Sequence, residues 1–565
     1  MALEVYRDLA FPVARTGPLM SPRFTLSAIS ESLATLALSL ALAACGGSSQ
    51  PPPPPMQDFS LAVSPVSASA VIGNVSSTVT VSVAPQNGFN GSVNVTLQGL
   101  PSGVNAAPGS SFTLQSGASQ SLTFSVSSSS PVGIFQLTVT GMSGTNSHTA
   151  QVVLTTEPIV RVSTYQNGSV LYLESDSGTD ISRIGLQTLW GGSIVEVSLN
   201  GTNFVNEHDT GREVQVAEYD GNAQYDACAG CTGVFGWNPV QGGDKYNAGS
   251  PVLAQTVAAD SLYIKAQPYQ WNPDDKGGGP SQPIVGDVYV EATVSAVLDH
   301  VFTFKVHYKI THFGTDQHAN SIQEFPAVYV NLGFDRFFSD SSTTPWANAP
   351  VSPVTMPQLP QFSPTLYASE QWGAYVDSGD NGLTVFVPGM APYIGGFTAA
   401  GDSGPTGNGT DYFAPRTFFS FGPNSVLEGD VYLVAGDYKH ARQVIYDLHN
   451  TLPAKDIFTP IGSVDSPASN TQLFGTTNVA GWAFDNVAVS KVDVYVDGIL
   501  AGTATYGGSR PDVANDWPHA PAAIGYNFSL DTTSYANGPH TVAIRAIDTS
   551  GNVAVFPDIP VTIRN

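Results

Sequence analysis

From residue 57 onward the chain alternates apolar and polar residues with period two, in short runs separated by turn residues. Thr78-Val-Thr-Val-Ser-Val83, Ser92-Val-Asn-Val-Thr-Leu97, Ser121-Leu-Thr-Phe-Ser-Val126 and Phe135-Gln-Leu-Thr-Val-Thr140 follow this pattern, which predicts half-buried strands. Further on, Asp287-Val-Tyr-Val-Glu-Ala-Thr-Val-Ser-Ala296 sets Val288, Val290, Ala292 and Val294 on one face. Val301-Phe-Thr-Phe-Lys-Val-His-Tyr-Lys-Ile310 does the same with Phe302, Phe304, Val306, Tyr308 and Ile310. A turn near Leu298-Asp-His300 predicts a hairpin that brings Glu291 opposite His307 or its neighbours. One segment departs from the pattern. Asp437 is placed to cap a helix carrying Ala441, Val444, Ile445 and Leu448 on one stripe. Lys491-Val-Asp-Val-Tyr-Val496 then runs through Asp497-Gly498 into another strand, a strong hairpin signal.

At 565 residues the chain calls for three to four domains, and its 56 glycines and 41 prolines suit many short strands joined by turns. The expected class is all-β: a large central sandwich at residues 158–456, flanked by smaller sandwiches at 57–157 and 457–565. The first small module resembles the immunoglobulin-like sandwiches of bacterial surface proteins. The last is similar to bacterial immunoglobulin-like repeats of secreted enzymes and adhesins. Twenty basic against 45 acidic side chains give a net charge of −25. That excludes a nucleic-acid partner, which needs clustered Lys and Arg.

Arg23 precedes the apolar run Leu33–Ala44, too short to span a bilayer as a helix. Leu42-Ala43-Ala44-Cys45 looks like the lipobox of bacterial lipoproteins, which implies cleavage before Cys45 and lipidation of its thiol. Residues 1–45 are therefore expected to be an export signal and 46–56 a Gly/Ser/Pro tether. The expected location is extracytoplasmic, with the lipid anchor as the only membrane contact. The two remaining cysteines, Cys228 and Cys231, lack the partners of a structural zinc site and are expected to form a small-loop disulfide.

Candidate chemistry gathers in the central region. Only 12% of the chain is charged, yet Asn206-Glu-His-Asp-Thr-Gly-Arg-Glu-Val-Gln215 packs Glu207, His208, Asp209, Arg212 and Glu213 together. Gly236-Trp-Asn-Pro-Val-Gln-Gly-Gly-Asp244, Gln267-Pro-Tyr-Gln-Trp-Asn-Pro273 and Gln323-Glu-Phe-Pro-Ala-Val-Tyr329 set aromatic rings beside amides and carboxylates. Such combinations suit sugars, whose apolar faces are edged by hydroxyls. Together these segments look like a family of secreted bacterial β-sandwich proteins linked to carbohydrate degradation. The resemblance covers roughly residues 160–450 and implies a mutarotase- or lyase-like sandwich, without an established reaction.

A glycoside hydrolase needs two carboxyl groups about the scissile bond, and Asp209 with Glu324 is the expected pair. Arg212 is expected to hold an acid group or depress Asp209, and His312 to carry a proton. Gln215, Trp237, Asn238, Asp244, Gln267, Trp271, His307 and Trp372 are the expected substrate contacts. The partner is then a polysaccharide or oligosaccharide and the chain a monomer. A uronate lyase using Arg212 with His307, His312 or Tyr329 is the second reading, and a binding or adhesion protein with Trp237, Trp271 and Trp372 as plates the third. No catalytic metal or cofactor is implied. The loop Asp548-Thr-Ser-Gly-Asn552 reads as a turn, a structural calcium ion being its alternative.

Overall fold

The computed structural model describes residues 55–220, 237–271, 282–357, 366–390, 392–396, 401–453, 456, 458–513 and 520–565. The expected export signal with Cys45, and the expected Cys228–Cys231 disulfide, lie outside the described residues.

Period-two patterning becomes sheet throughout. Val79–Gln86 buries Val79, Val81 and Val83 and pairs antiparallel with Asp58–Ser64. With their neighbours these strands form a four-stranded and a five-stranded sheet that close over Phe59, Val95, Phe124, Leu137 and Leu154. The central region is a sandwich of twelve-stranded and eight-stranded sheets among the described residues. Their inner faces share one core that includes Leu171, Ile194, Val216, Phe304, Tyr308, Phe325, Phe413 and Leu433. Residues from Ile461 onward form a four-stranded and a six-stranded sheet around Val479, Val494, Ile544 and Phe556.

The expected hairpins form. Val288–Ala296 pairs with Thr303–His312, and Glu291 faces Lys309, a neighbour of His307. Phe302 falls in the turn with φ of 61°, so that strand begins one residue later than its apolar pattern suggests. Val489–Val496 turns into Ile499–Thr503 through Asp497 and Gly498, both with positive φ (51° and 76°), as a two-residue hairpin of matching twist requires.

The helix Tyr438–Thr451 is capped by Asp437, whose side chain accepts from the Lys439 amide. It lays Ala441, Val444, Ile445 and Leu448 against Trp372, Phe386, Tyr432 and Val434 on the outer side of the eight-stranded sheet. Arg442 is carried inward by the same stripe and reaches Glu370 at 2.8 Å and Asp340 at 3.1 Å.

Both small modules dock on the central one. The end of Asn146–Glu157 meets the helix, where Glu157 contacts His440 at 2.8 Å and Ser77 donates to Asp447 at 2.8 Å. Ile322 and Phe418 of the twelve-stranded sheet pack with Ile461, Phe484 and Ile524 of the C-terminal module.

Candidate functional site

Three adjoining strands of the twelve-stranded sheet build the site: Val214–Ala217, Ser321–Asn331 and Thr410–Phe419. Val214 and Val216 enter the core and leave Gln215 and Ala217 on the outer face. Ala217 stands opposite Glu324, and Glu324 opposite Arg416. A register shift between Glu324 and Val328 then brings Tyr329 opposite Tyr412, and their rings lie 4.9 Å apart.

Glu324 is the hub. The Tyr412 hydroxyl donates to its Oε1. Burial raises the Glu324 pKa, while Tyr412, Tyr219 and Arg416 pull against it without cancelling the rise. Glu218 follows the first strand directly and is fully buried. Burial, reinforced by the charge of Glu324, pushes its pKa well above the carboxylate range. Neither Glu218 oxygen has a hydrogen-bond partner among the described residues. An ionised carboxylate in that setting would carry a large desolvation cost, which favours the protonated form of Glu218. Two carboxyls of unequal proton affinity are the arrangement that acid–base chemistry needs.

Aromatic surface continues from this pair. Trp271 packs with Ala217, Tyr219 and Val240. Its ring reaches Gly211, where an added β-carbon would collide with it. A small cleft lined by Tyr367, Arg416, Phe418, Phe458, Asp485 and Asn486 lies where the other side of the site meets the C-terminal module.

The expected site residues are dispersed. Asp209 pairs with Arg212 at 3.2 Å, and Arg212 donates to the Asn408 carbonyl at 2.6 Å. This turn precedes Val214, whereas Glu324 faces Ala217 at the other end of the strand. The register thus sets Glu324 at the Glu218 end of the strand, not at the Asp209 end.

Gln215, Asn238 and Asp244 are buried and spent on the fold. Gln215 accepts from the Gly242 amide, Asn238 donates to the Glu218 carbonyl, and Asp244 accepts from the Tyr246 and Ala248 amides. Gln267 donates to the Gly286 carbonyl. Trp237 and Trp372 are both 0% exposed and cannot serve as plates. Trp372 lies beneath the helix with its indole N–H on Glu370, and Trp237 stacks on His318. His307 belongs to the eight-stranded sheet, between Asp430 at 2.8 Å and Glu428 at 3.2 Å, and does not share a face with Glu324.

His312 closes one end of the sandwich. Its Nε2 lies 2.9 Å from Asp287, and Asp316 and His318 complete a group whose ligand-type atoms all fall within 4.8 Å of one another. Burial disfavours the Asp287 carboxylate, yet hydrogen bonds from His312, His318 and Trp237 hold it below the usual range. A second convergence, Asp456, Asp485 and Asp548, lies at the C-terminal module. There Asp548 is also bound by the Asn552 amide and side chain of its own loop.

Glu218, Tyr412, Arg416, Asp287, Asp316 and His318 were not singled out by sequence reasoning. His312-Phe-Gly-Thr-Asp-Gln-His318 carried a usable signal, with three ligand-type residues close together. Glu218 carried none beyond following a strand.

Residues 460–544 match the bacterial Ig domain family. Comparison with curated proteins finds no match. Among solved structures, the chain is similar to an endo-β-1,4-mannanase from Thermotoga petrophila, with 21% identity and a TM-score of 0.15 over 22% of this chain and 23% of that one. It is similar to fibronectin(III)-like modules of Clostridium thermocellum CbhA, with 17% identity and a TM-score of 0.13 over 18% and 94%. It is also similar to a polysaccharide lyase, with 9% identity and a TM-score of 0.24 over 72% and 47%. The chain thus spans 23% of the mannanase's length and 47% of the lyase's. Likeness at these TM-scores carries no functional argument.

Proposed function

We propose that the central sandwich hydrolyses glycosidic bonds of a polysaccharide at the outer face of the twelve-stranded sheet. In this reading Glu324 is the base or nucleophile and Glu218, fully buried in this structure, is the general acid once a bound glycan displaces the side chains that cover it. The observation that carries it is the buried Glu218 carboxyl, raised by desolvation and by Glu324. A carboxyl whose protonated form is favoured by burial can give its proton to a leaving oxygen. Burial disfavours the ionised form of Glu324, and Tyr412, Tyr219 and Arg416 offset part of that. Trp271 and Tyr329 supply the flat apolar surfaces on which sugar rings stack. Arg212 and Asp209 stand at the far end of the same strand, where a more distant sugar unit would lie. The flanking modules hold the sandwich away from a membrane to which Cys45 is the lipid attachment.

A second reading is β-elimination from a uronate, with Arg416 neutralising the acid group and Tyr412 moving the proton. It is favoured by the hydrogen bond that ties Tyr412 to Glu324 beside Arg416. Incubation of the full chain with neutral and acidic polysaccharides separates the two. New reducing ends without unsaturated products, lost in Glu324→Gln, support hydrolysis. Unsaturated uronate absorbance supports elimination. Binding without either product leaves a carbohydrate-binding protein and sinks the enzymatic proposal for those glycans.

A further inference from the structure

We infer that Asp287, His312, Asp316 and His318 form a binding site for one first-row transition-metal dication of the zinc type. The inference is independent of the carboxyl pair at Glu218 and Glu324.

The geometry begins with the two imidazoles. His312 Nδ1 lies 2.8 Å from the Gly422 carbonyl, which can only accept, so that nitrogen carries the proton. His318 Nδ1 lies 3.0 Å from Asp220 Oδ2, and the other Asp220 oxygen is fixed by the Ala319 amide at 3.1 Å. Both rings therefore turn Nε2 toward the same two carboxylates. Donation from Nδ1 to a carbonyl or carboxylate is how proteins orient metal-binding histidines. Asp287 is held in turn by the Trp237 indole N–H at 2.8 Å, and Trp237 stacks on His318 with centroids 3.8 Å apart.

The spacing matches the proposed ion. His312 Nε2 lies 2.9 Å from Asp287 and 3.6 Å from Asp316, while His318 Nε2 lies 3.9 Å and 3.8 Å from the same two residues. Tetrahedral zinc with bonds of about 2.0–2.1 Å places its ligand atoms roughly 3.3 Å apart, within the spread of these four distances. A binding ion would displace to solvent the Nε2 proton that His312 shares with Asp287, and the resulting two neutral imidazoles and two carboxylates leave a charge that a dication balances. Paired imidazoles favour zinc-type ions over calcium or magnesium, which take oxygen ligands.

Gly314 is the second, independent observation. It is absent from the residues with positive φ, so its backbone conformation does not call for glycine. A β-carbon there would collide with Asp287 Oδ2 and His312 Nε2 and lie 2.9 Å from Asp316 Oδ1. The glycine preserves the space on which the ligand atoms converge. Asp316, with its side chain 46% exposed, is the most exposed of the four ligands and marks the entry path.

The ligands also come from both layers. Asp287 and His312 flank the eight-stranded sheet, while His318 leads into Ser321–Asn331 of the twelve-stranded sheet. A bound ion would tie the two sheets at the end that carries Glu218.

The test is titration of the chelator-treated full chain with ZnCl2 by calorimetry and with CoCl2 by visible absorbance. One ion per chain, with the intense d–d bands of tetrahedral cobalt, is expected. Asp316→Asn alters an exposed group and should fold normally yet lose binding. Asp220→Asn should weaken binding by roughly 10–100-fold, the usual effect of removing a histidine's orienting partner. Gly314→Ala should abolish it, and a Cys228→Ser, Cys231→Ser double variant should bind normally. The absence of saturable binding, or wild-type affinity in either Asp316→Asn or Gly314→Ala, would overturn the inference. So would loss of the ion in the cysteine variant alone.

Discussion

The charge of Glu324 adds to burial in raising the Glu218 pKa. The strand register sets Glu324 opposite Ala217, the residue before Glu218. Tyr412 is the main hydrogen-bonding group that lowers the Glu324 pKa. Tyr412→Phe should therefore raise it further, and a catalytic Glu324 would then ionise only at higher pH. The acidic limb of the kcat/KM profile should move upward while KM changes little. An unmoved limb would remove Glu324 from the base role.

Arg442 and Glu370 are nearly inaccessible to solvent and bond through Nε at 2.8 Å, with Tyr446 also donating to Glu370. Arg442→Met strips a buried carboxylate of its cation, a change that typically costs about 3–5 kcal/mol. Urea unfolding should show a loss of that order. A double change, Arg442→Met with Glu370→Gln, should recover part of it.

The joint between the first module and the helix should depend on pH on both sides. Burial raises the Glu157 pKa, but His300 and His440 outweigh it and bring the value to about 2 from 4.5. This contribution is present above pH 4.5 and is lost as pH falls toward 2. Burial lowers the His300 pKa, but Asp447 and Glu157 outweigh it and bring the value to about 9 from 6.5. That contribution is present below pH 6.5 and is lost as pH rises toward 9. Their combined stabilisation is greatest between 4.5 and 6.5. Unfolding midpoints across pH should decline on the alkaline side, and His300→Gln should flatten that decline. An unchanged alkaline slope would contradict this assignment.

The two tryptophans separate packing from binding. Trp372 is buried under the helix, so Trp372→Ala should cost about 3–5 kcal/mol of stability, as large aromatic truncations do. Trp271 is partly exposed beside Tyr219 and Gly211. Trp271→Ala should weaken glycan binding, measured by affinity electrophoresis, with a smaller change in melting temperature. Equal binding in Trp271→Ala and wild type would take Trp271 off the sugar surface.

Local patterning made most of the fold legible. Alternation located strands such as Val79–Gln86 and Thr303–His312, and the stripe after Asp437 located the helix. Pairing was less legible, because it depends on register between segments far apart in sequence. Ala217 and Glu324 are joined only by the pairing of their strands. The charged stretch Asn206–Gln215 drew notice by composition, yet Gln215 holds the Gly242 amide and Glu213 is buried beside Ser193. Buried polar groups satisfied by backbone look in sequence like binding groups. Trp237 and Trp372 misled for the related reason that an aromatic ring beside a carboxylate fits both a sugar plate and a core ring with its N–H capped.

The most direct test compares Glu218→Gln on two substrates, the best-cleaved polysaccharide and an aryl glycoside of the same sugar with a strongly acidic phenol. An acidic phenol leaves without protonation, so only the polysaccharide needs the general acid. Loss of roughly 100-fold or more in kcat/KM on the polysaccharide, with near wild-type cleavage of the aryl glycoside, is the predicted result. Unchanged polysaccharide cleavage, or equal loss on both substrates, would contradict the role of Glu218 as acid.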